Sequence, residues 1–356
     1  MEIKTNEVKP DQLKLKPKDE SLAFGDIPSD HMYLLDYEAG KGWFNPRIVP
    51  YGDLSIDPAA MAFHYGQEIF EGLKAYRGEG GEIYLFRAEE NFKRFNRSAS
   101  RLCMPEVDIS FAMEAMKKLI LLDQDWVPQS AGTSLYIRPT MIATEPHLGV
   151  RVSNNYLFFI IIGPVGAYYK EGLNPVKIWA EDTFVRAAIG GTGEAKTAGN
   201  YAASLLAAEG AKKKGFAQVL WLDAAERKYV EEVGTMNMFF LIEDELITAP
   251  LTGSVLAGIT RDSVMQIATS WGIKLAERFL SIDEVTGSAK SGKLKEAFGT
   301  GTAAVISPVG QITYKDEDFV VAGGEMGELS QRLYDEIVGI QYGEKADTRG
   351  WVERIN

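Results

Sequence analysis

The stretch YLFFIIIGPVGAYYKEGLNP, residues 156–175, constrains this chain more than any other. Its first seven residues are aromatic or branched aliphatic, the pattern of a strand buried on both faces. The apolar run to Tyr169 falls short of a bilayer span and is broken by Gly163 and Pro164. Gly163, Pro164, Gly166, Gly172 and Pro175 then crowd together, and such punctuation marks a junction. At 356 residues the chain exceeds one ordinary core. The predicted organisation is a charged N-terminal extension (1–22), a smaller α/β domain (23–168), a linker (169–176) and a larger domain (177–356).

Before the junction, strand-like RIVPY, IYLF and SLYIRPTMI alternate with helical AEENFKRFNRSASRL and SFAMEAMKKLILLD. In the second helix Phe111, Ala115, Leu119 and Leu122 share one apolar face. After it come strand VKIWA, helix NYAASLLAAEGAKKKG, and strands AQVLWLD, MFFLI and ELITAP. A helix follows within GITRDSVMQIATSWG, with Thr260 as its expected cap and Val264, Ile267, Ala268 and Trp271 on its apolar face. SIDEVTGSAKSGKLKEAFGTGTAAVISPVG reads as a helix, a glycine–threonine turn and a strand. The fold class is α+β.

Composition narrows the function. A hydrophobic content of 46% with 25% charged residues is globular. The net charge of −12 argues against a nucleic-acid binder, which needs a basic face. One cysteine, Cys103, excludes an internal disulfide or a thiolate zinc cage and suits a reducing compartment. His31, His64 and His147 lack metal-ligand spacing, so no metal is expected. The N-terminus alternates lysine with acid and has no apolar core for secretion, so a cytoplasmic location without membrane attachment is expected.

Lys196 lies in GGTGEAKTAGNYA, among glycine, alanine and threonine. Small residues allow close approach to the backbone, and an amine short of water becomes a nucleophile. A glycine-rich surface loop would read the same way. In YVEEVGTMNMFF, Glu231 and Glu232 stand before a turn at Gly234, either as exposed strand-end carboxylates or as an acid aimed at a cation. Gly258, ahead of a helix, and the GTGTAAV turn (299–305) offer backbone N–H groups to an anion. An amine, an acid and two anion-accepting turns are the parts that pyridoxal 5′-phosphate (PLP) requires: a Schiff-base lysine, a partner for the ring nitrogen and a phosphate cradle. GSAKSGKL (287–294) imitates a phosphate-binding loop but ends in Leu294 where a hydroxyl residue is needed.

FHYGQEIFEGLKAYRG, GTSLYIRPTMIATEPHLGV, GPVGAYY, KTAGNYAASL, QVLWLD, EEVGTMNMF, LAGITRDS and FGTGTAAVISPV occur in order along nearly the whole chain. Together they resemble the branched-chain amino acid aminotransferases, in particular the longer branch that includes the eukaryotic enzymes. The resemblance implies a fold-type IV PLP enzyme with a small α/β domain, a larger pseudo-barrel domain, and a homodimer as the active unit. It implies Lys196 as the Schiff-base lysine, Tyr201 beside the cofactor's phenolic oxygen and Glu232 on the ring nitrogen. It implies Arg94, Ile259, Thr260 and Thr302 on the phosphate, and Tyr65, Thr235 and Ala303 on the substrate α-carboxylate. Phe24, Phe70, Tyr136 and Tyr168 match the walls of the side-chain pocket, and Arg138 matches the group that meets the distal carboxylate of glutamate. Leu148 and Val150 match residues that reach the neighbouring subunit's site. The implied reaction moves an amino group from leucine, isoleucine or valine to 2-oxoglutarate; D-amino acid aminotransferases and aminodeoxychorismate lyases share the lysine and the ring acid. Where relatives of the human type carry a C-x-x-C pair, this chain has Ala304 and Ser307, so no thiol switch of that kind is available.

Overall fold

The computed structural model describes residues 1–166 and 173–356, which form two compact units. The first comprises Met1–Tyr168, Ala195–Ala198 and Gly339–Asn356; the second comprises Tyr169–Glu194 and Gly199–Val338. Tyr168 and much of the expected linker lie outside the described residues. Among the described residues, no helix is long and apolar enough to cross a membrane.

The first unit is a mainly antiparallel sheet of β1 (Lys4–Thr5), β2 (His31–Glu38), β3 (Gly42–Pro50), β4 (Glu68–Phe70), β5 (Leu73–Arg77), β6 (Ile83–Phe86), β7 (Ser134–Ala143) and β8 (Asn155–Val165). Its strand order is β1-β3-β2-β8-β7-β5-β6, and β4 pairs with β7. The short helix α1 (Met61–Tyr65) precedes β4, while α2 (Ala88–Arg101) and α3 (Ile109–Leu122) bury their apolar faces against the sheet. Phe92, Phe95 and Ala99 of α2 meet Ala115, Met116 and Leu119 of α3 in one core with Ile137, Met141, Phe158 and Ile160 of the strands. Asp108 caps α3 by accepting from Phe111 N–H at 2.7 Å.

Side chains alternate along a strand, and this decides the chemistry of β7. Leu135, Ile137, Pro139 and Met141 are buried, whereas Tyr136, Arg138 and Thr140 are partly exposed on the other face. In β4, Ile69 likewise joins the helical core and leaves Phe70 on the face of Tyr136 and Arg138.

The second unit contains β9 (Val176–Glu181), β10 (Gln218–Leu222), β11 (Val230–Val233), β12 (Met236–Ile242), β13 (Glu245–Thr248), β14 (Lys274–Glu277), β15 (Leu294–Gly301), β16 (Val305–Tyr314) and β17 (Glu317–Val320). Pairing runs β11-β10-β9-β16-β15-β12 and returns from β12 to β11, so six strands close a ring. All six strands contribute to one apolar cluster, among them Ile178, Leu220, Val233, Met238, Ala297 and Ile312. This ring is the pseudo-barrel that the resemblance implies. Helices α4 (Ala198–Lys213), α5 (Ile259–Ser270), α6 (Ile282–Lys290) and α7 (Glu328–Gln341) accompany it.

Three expectations are corrected. The C-terminal residues group with the first unit, because a last strand, β18 (Val352–Arg354), pairs with β6 and Trp351 packs edge-on to Phe86 at 5.7 Å. The N-terminal extension is not a separate tail, because β1 pairs in parallel with β3 and Ile3 enters the core. The cap of α5 is Gly258, in an extended conformation, and Thr260 lies inside the first turn with its side chain buried.

Candidate active site

Lys196 belongs to a short segment hydrogen-bonded onto β4. Phe70 N–H donates to the Lys196 carbonyl (3.0 Å), Lys196 N–H to Ser98 Oγ (2.9 Å) and the Thr197 hydroxyl to the Glu68 carbonyl (2.7 Å). Ile69 and Thr197 are also bridged like neighbouring antiparallel strands. The small neighbours serve this docking: Ala195 and Thr197 are buried, while Lys196 is half-buried with Nζ 5.0 Å from the Phe70 ring centroid. Another amine in this unit held away from water is that of Lys74, opposite Tyr136 in the β5–β7 pair. Burial pushes it down to about 8, but at 7% exposure it is closed to an incoming aldehyde.

The shared face of β4 and β7 brings several sequence-predicted residues together. Arg138 donates from Nη2 to the Tyr136 hydroxyl at 2.8 Å, and its guanidinium lies 4.7 Å from the Phe70 centroid and 5.2 Å from that of Tyr136. Phe24 meets Tyr136 edge-on at 4.9 Å. Phe24, Tyr136, Arg138, Ile161 and Val165 border a cavity of about 250 Å³. The Nε of Arg138 is buried and has no hydrogen-bond partner among the described residues. Gly72 packs closely here: a Cβ on it would stand 2.1 Å from the Tyr136 hydroxyl and displace that ring.

Arg94, on α2, is 4% exposed. Its Nε and Nη2 donate to Oε1 and Oε2 of Glu71 at 2.7 and 2.9 Å. Glu71 is wholly buried and also accepts from Asn91 Nδ2 (2.8 Å) and Gly72 N–H (3.1 Å). Burial by itself would raise the Glu71 carboxyl, but Arg94, the charge of Lys196 and the Asn91 hydrogen bond outweigh it and hold it below the ordinary carboxylate range.

In the second unit, Tyr201, Glu232 and Thr235 border one small pocket with Arg186 and Asn200. Both acids of the EEVG segment prove to be buried rather than exposed strand ends. Glu232 Oε1 accepts from Asn237 Nδ2 at 3.0 Å, and Oε2 is ion-paired with Arg186 Nη2. Arg186 also donates to the carbonyls of Gly193 (3.3 Å) and Ser254 (2.9 Å), so one guanidinium joins the acid to two loops. Glu231 faces away and accepts from the Ser254 hydroxyl; burial pushes its carboxyl up despite that bond and the charge of Arg186.

Asn237 Nδ2 also donates to the Leu256 carbonyl at 2.8 Å, which fixes the approach to α5. A Cβ on Gly258 would fall 1.9 Å from Asn237 Oδ1, so only glycine fits there. No side chain caps α5, leaving Ile259 and Thr260 at a helix start of the kind that accepts anions. Thr302 and Ala303 form the turn between β15 and β16, beyond Thr300, which pairs with Asn237.

The Tyr65 hydroxyl donates to the Leu148 carbonyl, and Leu148 and Val150 are 64% and 83% exposed. Sequence reasoning missed Glu71, Asn91, Ser98, Arg186 and Asn237. Their only advance signal was membership of quoted segments: Glu71 and Asn237 lie in stretches that carry the resemblance, Asn91 and Ser98 in the predicted helix AEENFKRFNRSASRL, and Arg186 in none. GSAKSGKL is the end of α6 and the start of β15, not a turn after a buried strand.

The amino-transferase class IV family model matches residues 68–312, which include all of these buried charges. The branched-chain-amino-acid aminotransferase 2 of Bacillus subtilis is 55% identical over 342 residues, covering 96% of this chain and 94% of that protein. The branched-chain-amino-acid aminotransferase of Mycolicibacterium smegmatis is 49% identical over 338 residues, covering 94% and 92%. Among solved structures, the branched-chain amino acid aminotransferase of Escherichia coli superposes with a TM-score of 0.77 at 28% identity, covering 92% of this chain and 99% of that one. The T.th. branched-chain amino acid aminotransferase, solved in complex with N-(5′-phosphopyridoxyl)-L-glutamate, gives 0.75 at 27%, covering 90% and 98%. With the family match spanning well over half of its length, the chain belongs to the class IV aminotransferases.

Proposed function

We propose that this chain is a PLP-dependent branched-chain-amino-acid transaminase, moving the amino group of L-leucine, L-isoleucine or L-valine to 2-oxoglutarate and back. The observation that carries the reading is Lys196, in a segment held by three hydrogen bonds with its amine over Phe70. The names of the quoted relatives support the substrate class and set aside the D-amino acid and aminodeoxychorismate readings.

The residues present fit the cofactor. A buried carboxylate with oriented donors, a helix start with no side-chain cap, a buried guanidinium and a primary amine are its complement. When bound, PLP supplies an aldehyde for amines and a ring that accepts the electron pair of the substrate α-carbon. With the group bound, Lys196 Nζ would be the base that takes the proton from that carbon and the acid that gives it back. Glu232 holds the proton on the ring nitrogen, and Asn237 and Arg186 fix the direction of its carboxylate. Arg94, the N–H groups at Ile259 and Thr260, and Thr302 anchor the phosphate, while Tyr201 attends the phenolic oxygen. Tyr65, Thr235 and Ala303 receive the substrate α-carboxylate.

One pocket accepts both an aliphatic chain and a carboxylate. Phe24, Phe70 and Tyr136 line it with ring surface. Arg138, with its buried Nε and its bond to Tyr136, supplies the charge for the second carboxylate of glutamate. An apolar wall separates substrates by only ~1–3 kcal/mol per methylene, so leucine, isoleucine and valine all enter. The chain works in the cytoplasm as a homodimer in which Leu148 and Val150 reach the partner's site; their exposure and that of Phe63 supply the apolar surface.

L-leucine added to the purified protein will convert the visible cofactor absorbance to that of the pyridoxamine form, and 2-oxoglutarate will restore it. Lys196→Ala will show neither change; retained turnover in that variant refutes the assignment. The two adjacent acids will separate: Glu232→Gln cuts kcat by about 100-fold with PLP still bound, whereas Glu231→Gln stays within a few-fold, and equal effects would remove Glu232 from the ring nitrogen. Light scattering will give twice the chain mass; a monomer with full activity contradicts the dimer.

A further inference from the structure

The Arg94–Glu71 pair raises a question that phosphate binding alone does not answer. An arginine meant to bind an anion is here already neutralised by a wholly buried carboxylate. A buried ion pair of this kind is weak evidence for stability, because an apolar pair of similar volume often serves as well. Its use must lie elsewhere, and the geometry shows where.

Glu71 occupies the link between β4 and β5, and its own N–H donates to the Pro139 carbonyl of β7 at 2.8 Å. The residue before it, Phe70, donates its N–H to the carbonyl of Lys196. Its side chain reaches α2, where Asn91 and Arg94 stand one turn apart and grip it together. Two donors of the Arg94 fork, Nε and Nη2, are committed to the carboxylate in a planar, two-point contact. That contact leaves the guanidinium no rotation about its plane.

We propose that Glu71 is a positioning residue for the cofactor: it fixes the plane of the Arg94 guanidinium so that the cation meets a phosphate in one orientation, and through Phe70 it ties that anchor to the strand that holds Lys196. Phosphate site and amine are thereby set at one spacing by a single residue. The inference rests on the reading that Arg94 anchors the PLP phosphate. Two effects oppose each other when the charge of Glu71 is removed. Arg94 gains net attraction for an anion, and it loses its orientation. In a buried site orientation dominates, because a misaimed fork forfeits its directed hydrogen bonds.

The test compares PLP with pyridoxal, which has the same aldehyde and no phosphate, on full-length apoenzyme, with affinity read from absorbance or fluorescence titration. Wild-type protein will prefer PLP strongly. Glu71→Gln will weaken PLP at least 10-fold and leave pyridoxal within about two-fold. In an Arg94→Gln background, Glu71→Gln will cost no further PLP affinity. If Glu71→Gln does not fold, Asn91→Ala, which removes another donor to the same carboxylate, will weaken PLP several-fold and spare pyridoxal. Unchanged or tighter PLP binding, or equal losses for both ligands, overturns the proposal. A wild-type protein that binds PLP no better than pyridoxal overturns the phosphate-anchor reading as well.

Discussion

The docking of residues 195–198 onto β4 is the contact on which the chemistry depends. A lysine in a glycine-rich loop ordinarily samples many positions, and a nucleophile that wanders contributes little to rate. Here the loop behaves locally as an added strand: Phe70 donates to Lys196, Thr197 closes on Glu68, and Ser98 of α2 receives the lysine's own N–H. β4 is in turn set by its register on β7, with Phe70 opposite Thr140. The position of the amine is therefore inherited from the sheet, and a slip of one residue in β4 would turn Phe70 into the core and Ile69 out of it.

The buried acids of each unit follow one rule. The chain carries a net −12, yet Glu71 in the first unit and Glu232 in the second are each held by directed donors. Glu71 takes Arg94, Asn91 and Gly72 N–H; Glu232 takes Asn237 and Arg186. Buried carboxylates without such partners take up protons instead, and Glu231, with one hydroxyl donor and a more distant cation, is pushed in that direction. Two adjacent glutamates on one strand thus acquire different properties because alternation sends them to opposite faces.

Much of this was readable in the sequence, and what was not has a common cause. IYLF coincides with β6, the helix over 88–101 lies within the predicted one, and the apolar run at 156 became β8. These are local signals of period and capping. The buried role of Arg94 was invisible because its partner lies on a different element, 23 residues away, and α2 reads correctly as amphipathic with or without that pair. The return of the C-terminus to the first unit rests on β18 pairing with β6, a long-range contact that three residues cannot announce. Thr260 misled for an instructive reason. Threonine is a good cap in isolation, but the helix already starts at Ile259 behind Gly258, and the threonine is buried within its first turn.

The central claim is that the amine of Lys196, and not the buried amine of Lys74, carries the cofactor. Borohydride reduction of the purified protein followed by peptide mass spectrometry tests it directly. The account predicts a single pyridoxyl group on the peptide containing Lys196. A label on Lys74, or on any other lysine with Lys196 unmodified, would contradict it.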